Sequence, residues 1–545
     1  MSNPMSGNSA LRKARIIVAA GVVVLAALVG VLYFALRSKT SQGRSTAAMR
    51  ELAAAIPDDS PLVVTGQYSR DRMSLLELNE LVKLQPSLKN ELEQKHEKKQ
   101  AALKAWLGFD PDDEKAWLAA GLDLHQPFSA ILTSSDFKHN DVADITTFAV
   151  QPVDAANAEK TLRRLWENST DSQLSEILDQ KIAMKHPHSL LAVNSGPRLF
   201  VKQRTSAESE QKLRAWLDAA KLRPLSAQPN FVACMNELPA QADYTAFVNI
   251  AGVVNAMAEH DRPEFLANIQ ALGFAGSDEE NTGFLLLNNN ELLDQLRPGG
   301  ESREFLARFD PPLAAVSWSL ADTAELLRAL HRMNSSKDGK DSTKSETERA
   351  LEAGEYDRFL KDNCGGVLIY PDESKGFIPL SYAVVLKVND APGFEAVMAK
   401  EREKSKKPPR QETKKEFGKN VVFVDESDGT ARATIGEYII AGNARAQIEA
   451  LAQGAAKGWH PSIGGKSALE IQVPIAAAMR FALRKENVDV QIACRDKIDA
   501  ALNFTARVEG RKNGIYYHGD YRGVTAALVK FAAEIKDPSA ANSKN

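Results

Sequence analysis

The chain is 545 residues long, 44% hydrophobic and 26% charged, a globular composition that excludes general disorder. Its formal net charge is −3, without the basic surplus that a nucleic-acid binder usually carries. Three widely separated cysteines, Cys234, Cys364 and Cys494, exclude a disulfide framework and argue against a zinc ribbon. They leave two readings: one disulfide with a free thiol, or three small buried hydrophobes, and the second is favoured. At about 100–200 residues per domain, the part after the N-terminus should hold roughly two to four domains.

Ile16 to Leu36 reads IIVAAGVVVLAALVGVLYFAL and contains no charged residue. About 20 apolar residues in a helix span a bilayer core, so a transmembrane helix is expected over 16–36. Arg12, Lys13 and Arg15 precede it, while Arg37, Lys39 and Arg44 follow. The flanking charges therefore nearly balance and do not orient it. The run is longer than the core of a cleaved signal peptide, and Arg37-Ser38-Lys39 is no small-residue cleavage site. An uncleaved signal-anchor is expected, with residues 1–15 cytoplasmic and the large region in the periplasm or outside. Ala26 and Gly30 have the small-xxx-small spacing of close helix packing, a spacing common in any such helix. Residues 37–50 read as a polar linker.

Turn chemistry at Ile56-Pro57-Asp58-Asp59-Ser60 leads into a strand over Pro61 to Tyr68. Helical spacing follows over Leu75 to Leu84, then a charged helix to about Leu107 and a short one from Asp113 to Ala120. Phe128 to Thr133 and Ile145 to Val153 read as strands, and Asp154 sits where it would cap a helix running to Trp166. Strands at Ile182 to Lys185, Leu190 to Val193 and Arg198 to Lys202 precede a helix over Ser206 to Ala220.

The pattern then recurs. FAVQPVDAANAEKTL from Phe148 compares with YAVVLKVNDAPGFEAV from Tyr382, each a strand entering an acidic helix start. Each is followed by a hairpin and a strand-to-helix unit, at Arg198 and at Glu437. Further strand-to-helix units begin at Pro61, Ala242, Pro312 and Ser467. Pro61 to Pro312, Val153 to Val388 and Ala242 to Ala468 are 251, 235 and 226 residues apart. Similar offsets in one order predict a duplicated half of roughly 230–250 residues. Two stretches look inserted. Asn334 to Glu355 reads as a polar loop leading into a helix. Lys-rich Lys400 to Lys419 reads as a solvated helix end and loop, or as a contact for an acidic partner, anionic lipid headgroups or the cell wall. The end of the chain, 537–545, reads as a frayed tail.

The motifs that could carry chemistry fail on their context. Gly465-Lys466-Ser467 resembles a P-loop end, but the required earlier glycine is His460, and a strand rather than a helix follows. His186-Pro187-His188 has no third ligand at metal spacing, and none of the nine histidines forms HExxH. Ser135-Asp136-Phe137-Lys138 fits S-x-x-K, yet Ser135 ends a strand and has no K-T-G or S-D-N partner. Asp58-Asp59, Asp112-Asp113 and Asp154 lie at turns and helix starts, where carboxylates cap backbone N–H groups. Trp106, Trp117, Trp166 and Trp216 read as packing residues. No catalytic, cofactor-binding or metal-ligating residue is assigned, and no cofactor is implied.

At IPDDSPLVV, LGFDPDDEKAWLAAGLDLHQPFSAIL and EYIIAGNARAQIEALAQ the chain resembles a loosely defined family of bacterial envelope proteins of unknown function. Members have one N-terminal membrane anchor and an exported region with repeated strand-helix units. The resemblance implies export and a repeated fold, and carries no site residue.

The expected fold is α+β: one N-terminal transmembrane helix, then two similar halves, 51–308 and 309–536, of mostly antiparallel sheet with packed helices. The expected function is that of an inner-membrane-anchored envelope protein that binds rather than catalyses. Its partners would be the bilayer through 16–36 and an envelope protein, lipid or cell-wall polymer, not nucleic acid; the sequence leaves the oligomeric state open. Two alternatives remain: an envelope hydrolase with dispersed catalytic residues, which makes the enzyme question uncertain, and a periplasmic carrier of an apolar ligand.

Overall fold

The computed structural model describes residues 44–66, 97–133, 145–167, 189–250, 268–326, 352–372, 380–404, 412–455, 459–482 and 502–524, apart from short gaps within these ranges and isolated positions at 253 and 328. The expected span at 16–36, the helix over 75–84, the strand at 182–185 and most of 334–355 lie outside them. Among the described residues no helix is long and apolar enough to cross a membrane. The fold is α+β, dominated by antiparallel sheet with packed helices, and the chain divides into two compact units between Leu286 and Leu287.

In the first unit, helix α1 (Ser45–Ala53) precedes β1 (Leu62–Gly66), α2 (Glu114–Ala119), β2 (Phe128–Leu132), β3 (Thr146–Val150) and α3 (Ala155–Glu167). Then come the hairpin β4 (Ser189–Ser195) and β5 (Arg198–Arg204), α4 (Ser209–Leu222) and α5 (Pro229–Glu237). The unit closes with β6 (Tyr244–Val248), β7 (Ile269–Gly276) and β8 (Glu280–Leu287). Pairing runs β4-β5-β3-β2-β1-β6-β7-β8, antiparallel from β4 to β7. Side chains alternate across a strand. Val63 and Thr65 of β1 therefore face the same way as Thr245 and Phe247 of β6, and α1 covers them. Phe200 on that face meets Trp216 of α4 edge-on. On the opposite face α3 packs Ala158 against Leu190, Leu199 and Val201.

The linker expected through Arg50 is shorter than its polar composition suggests. Helix α1 starts at Ser45 and buries Ser45, Thr46 and Met49. Polar residues are buried here because each finds a partner: Ser45 Oγ donates to the Asp243 carbonyl at 2.5 Å, and the Thr46 and Thr245 hydroxyls lie 2.9 Å apart.

The second unit contains α6 (Arg303–Leu306), β9 (Ala314–Asp322), β10 (Lys361–Pro371), β11 (Leu380–Lys387) and α7 (Ala391–Lys404). Four strands follow: β12 (Glu412–Phe417), β13 (Asn420–Asp425), β14 (Ala431–Ile435) and β15 (Tyr438–Gly442). The last elements are α8 (Arg445–Ala452), β16 (Leu469–Pro474), α9 (Ile475–Ala482), β17 (Asn503–Arg511) and β18 (Gly514–Asp520). Pairing runs β12-β13-β14-β15-β11-β10-β9-β16-β17-β18, again antiparallel. From β14 onward this is the strand order of the first unit, element for element. One face carries a core of Phe305, Leu306, Phe309, Val385, Val424, Ile440, Ile448 and Trp459. The other packs Tyr356, Phe359 and Phe394 against Val388 and Ile439.

The expected loop within 400–419 is a helix end to Lys404 followed by a strand, β12, from Glu412. Its sequence ETKKEF lacks the apolar alternation that marks a half-buried strand, because β12 is an edge strand with most of its side chains exposed. Its lysines are paired: Lys414 with Glu416 at 2.7 Å and Lys415 with Glu449 at 2.9 Å.

Candidate functional site

The densest gathering of chemically capable side chains among the described residues lies at one corner of the second unit. Cys364 on β10 stands opposite Ser319 on β9, and Lys387 at the end of β11 stands opposite Tyr438 on β15. The Tyr438 hydroxyl and the Cys364 thiol are hydrogen-bonded. Helix α6 closes the corner by stacking the Phe305 ring on Tyr438, with centroids 3.7 Å apart and planes 10° from parallel. Ser319 Oγ donates to the Gly300 carbonyl at 2.6 Å and accepts from Gly299 N–H at 2.9 Å, which seats the Gly299-Gly300 backbone beside the thiol.

Asn363, the residue before Cys364 on β10, points to the opposite face of the sheet and anchors the strand from there. Its buried amide carbonyl accepts from Trp318 Nε1 at 3.0 Å and from Thr323 Oγ1 at 3.4 Å, and its amide nitrogen donates to the Lys387 carbonyl. Just before it, Asp362 has φ 48°, and it is the one non-glycine residue with a left-handed backbone among the described residues. Such a conformation costs about 1–2 kcal/mol for a residue with a Cβ. It persists here because the bonds of Asn363 fix the strand on the far side.

The electrostatics decide what this corner can do. Burial pushes the Cys364 thiol up; Lys387 and the Tyr438 hydrogen bond oppose the shift without cancelling it, and Glu301 and Glu437 add to it. Burial and the neighbouring thiol push Tyr438 up to about 12. Lys387 is paired with Glu437 at 3.5 Å. Thiol and phenol are both protonated at neutral pH, so the corner holds no thiolate, the form of cysteine that attacks electrophiles and binds metals. In this geometry the thiol and phenol link β10 to β15. Cys234 behaves likewise: it is fully buried on α5, and burial pushes its thiol up to about 12. Both described cysteines are free and buried, as small hydrophobes would be, whereas Cys494 lies outside the described residues.

A second polar cluster sits in the first unit. Ser129, Thr65 and Thr245 stand side by side on β2, β1 and β6, with the Thr65 and Ser129 hydroxyls 2.9 Å apart. Thr46 bonds the row from above. It contains hydroxyls alone, with no base among them, and it rivets α1 to the sheet.

Of the carboxylates singled out by sequence, Asp113 and Asp154 do the capping work that their positions suggested. Asp113 accepts from Lys115 N–H at 3.0 Å and Ala116 N–H at 3.3 Å. Asp154 accepts from Ala156 and Asn157 N–H at 3.0 and 3.1 Å. Asp58 and Asp59 flank Arg223 at 3.7 and 4.0 Å. Asp112 lies outside the described residues, as do Gly465, Lys466, Ser135 to Lys138 and His186 to His188. Ser467 precedes β16, as expected, and its hydroxyl reaches Glu509 at 3.5 Å. Trp106 donates to the Leu165 carbonyl at 2.9 Å, and Trp117 packs edge-on against Phe109. Among the described residues, Asp58 and Asp59 meet at Arg223, and the others stand apart. Among the described residues no group of three His, Cys, Asp or Glu side chains could hold a metal. Sequence reasoning missed Asn363 and all of β10, because a strand that opens Lys-Asp-Asn and continues Cys-Gly-Gly offers few of the β-branched residues that advertise strands. No known protein family, curated protein sequence or solved structure matches this chain.

Proposed function

We propose that this protein is a bacterial envelope protein held in the inner membrane by Ile16 to Leu36, with a large periplasmic body that binds a partner rather than catalysing a reaction. The observation that carries the reading is the uncharged 21-residue stretch at 16–36 joined by a short polar linker to a large folded region. The body is read as a tandem duplication of one antiparallel unit. The common strand order, from β4 to β8 and from β14 to β18, supports it, as do the similar sequence offsets. The resemblance of IPDDSPLVV and EYIIAGNARAQIEALAQ to exported envelope proteins points the same way.

The test has two arms. A C-terminal phosphatase fusion should be active, and the protein should resist carbonate extraction from membranes. Extraction into the soluble fraction would refute the anchor, and fusion activity confined to the cytoplasm would refute the orientation. Cross-linking in cells followed by affinity purification should then recover one envelope partner reproducibly, and recovery of bait alone would refute the binding role.

A further inference from the structure

The first unit has two ends, and the chain enters at one of them. Gly66, the last residue of β1, stands opposite Phe128 and Tyr244, the first residues of β2 and β6. Arg44 bridges Ala242 beside the start of β6, so the chain from the N-terminus arrives at this end. Strand β3 runs antiparallel to β2 and finishes here too, at Val150, and Val153 follows it.

Val153 is 62% exposed and Leu118 on α2 is 48% exposed, both large apolar side chains turned to solvent. Gly121 clamps them together. Its N–H donates to the Leu118 carbonyl at 3.0 Å, and its carbonyl accepts from Val153 N–H at 2.9 Å. The matching turn of the second unit is built differently: Val388 is buried, and the residue before the helix-capping Asp390 is Asn389, which donates to the Lys361 carbonyl at 3.0 Å. Of these two turns, the one in the first unit carries the exposed apolar residues.

Chain length turns this into a location. Eight residues, Arg37 to Arg44, separate the end of the apolar stretch from the bridge at Ala242. Fully extended they reach about 27 Å. Val153 lies three strand spacings from β6, roughly 14 Å across the sheet. We propose that Leu118 and Val153 rest in the interfacial layer of the bilayer, so that the first unit sits on the membrane by this end. The inference depends on the anchor at 16–36. The lipid class follows from charge: Asp113, Glu114, Asp123 and Asp154 lie within five residues of Leu118 or Val153 in the chain, against Lys115 alone, so a zwitterionic surface suits this end better than an anionic one.

The full-length protein carries its own control. Leu222, at the end of α4, is 85% exposed, and the following Arg223 and Pro224 meet Asp58 and Pro57 at the opposite end of the sheet. Val153→Cys, Leu118→Cys and Leu222→Cys, each in a Cys494→Ser background, would be labelled with an environment-sensitive fluorophore. The proteins would be reconstituted into phosphatidylcholine vesicles with and without brominated acyl chains. The proposal expects the labels at 118 and 153 to be quenched at least about twofold more than that at 222, with the difference shrinking in anionic vesicles. Equal quenching at all three sites, or stronger quenching at 222, in protein that floats with the vesicles overturns the proposal and leaves the anchor standing. Protein that does not float overturns both. A docked protein partner or second copy would shift the emission of labels 118 and 153 without bromine quenching, which also refutes the lipid assignment.

Discussion

Gly121→Ala tests whether the junction between α2 and α3 is built as described. Gly121 has φ 83°, and a Cβ there would fall 2.4 Å from the Asp154 carbonyl oxygen and 2.5 Å from the Ala158 nitrogen. Both are backbone atoms of the first turn of α3, so no side chain can rotate out of the way. The left-handed conformation alone costs an alanine about 1–2 kcal/mol. Relieving the overlap moves the helix start away from Gly121, which disturbs the Asp154 cap, worth about 1 kcal/mol. The expected total is about 3 kcal/mol. Gly454 supplies a matched reference, with φ 81° and nothing within 4 Å of the place a Cβ would take, so Gly454→Ala should cost about 1 kcal/mol through backbone conformation alone. Urea unfolding gives the two differences. Hydrogen exchange should also show the amides of α3 opening roughly 100-fold more readily in the Gly121 variant. Equal costs for the two variants, or unchanged exchange in α3, would refute the reasoning.

Three further outcomes are expected. Thr147 is fully buried and its hydroxyl has no partner, so Thr147→Val should stabilise by about 1 kcal/mol, whereas Thr65→Val strands the Ser129 hydroxyl and should cost about 1–2 kcal/mol; urea midpoints moving in the same direction would contradict this. Burial opposes ionisation of Glu449, but hydrogen bonds from Arg445 at 2.8 Å and Lys415 at 2.9 Å outweigh it and hold the carboxyl below its usual range. Its contribution is therefore complete above the unfolded value of about 4.3 and is lost as pH falls through the lower folded value, so Glu449→Gln should flatten the acid limb of a stability profile and destabilise at neutral pH. In a Cys494→Ser background, Cys234 and Cys364 should resist thiol reagents at pH 8 until denaturant is added; rapid native labelling of Cys364 would show that the corner at Tyr438 opens.

Local chemistry made much of this fold legible. Asp154 announces α3 because a carboxylate before an amphipathic run has one favourable task, and β1 is plain from Leu-Val-Val. The common strand order could be sensed because β3 and β11 each lead to a helix behind a capping aspartate, Asp154 and Asp390. What stayed hidden depends on neighbours far away in sequence. Ser45 and Thr46 look like linker until Asp243 and Thr245 are placed beside them. The strand β12 is polar because, among the described residues, it pairs with β13 alone, and β10 is obscured by the glycines that let Val385 and Trp318 approach it closely. The candidate corner was illegible for the same reason: Cys364, Lys387 and Tyr438 meet only through strand pairing, and no local spacing relates them.

The placement of β1 has a consequence for how the protein comes into being. Its two neighbours are β2 and β6, and Leu62 pairs with both Leu132 and Val248. Helix α1 rests on β1 and β6 and takes its first backbone bond from Ala242. The first part of the body to emerge is thus among the last to be completed: the centre of the sheet stays one-sided until residue 248 has arrived. Pairing over such sequence distances is slow. A growing chain therefore presents its earliest strand, bare along one edge, throughout that interval, which is when a chaperone would find it.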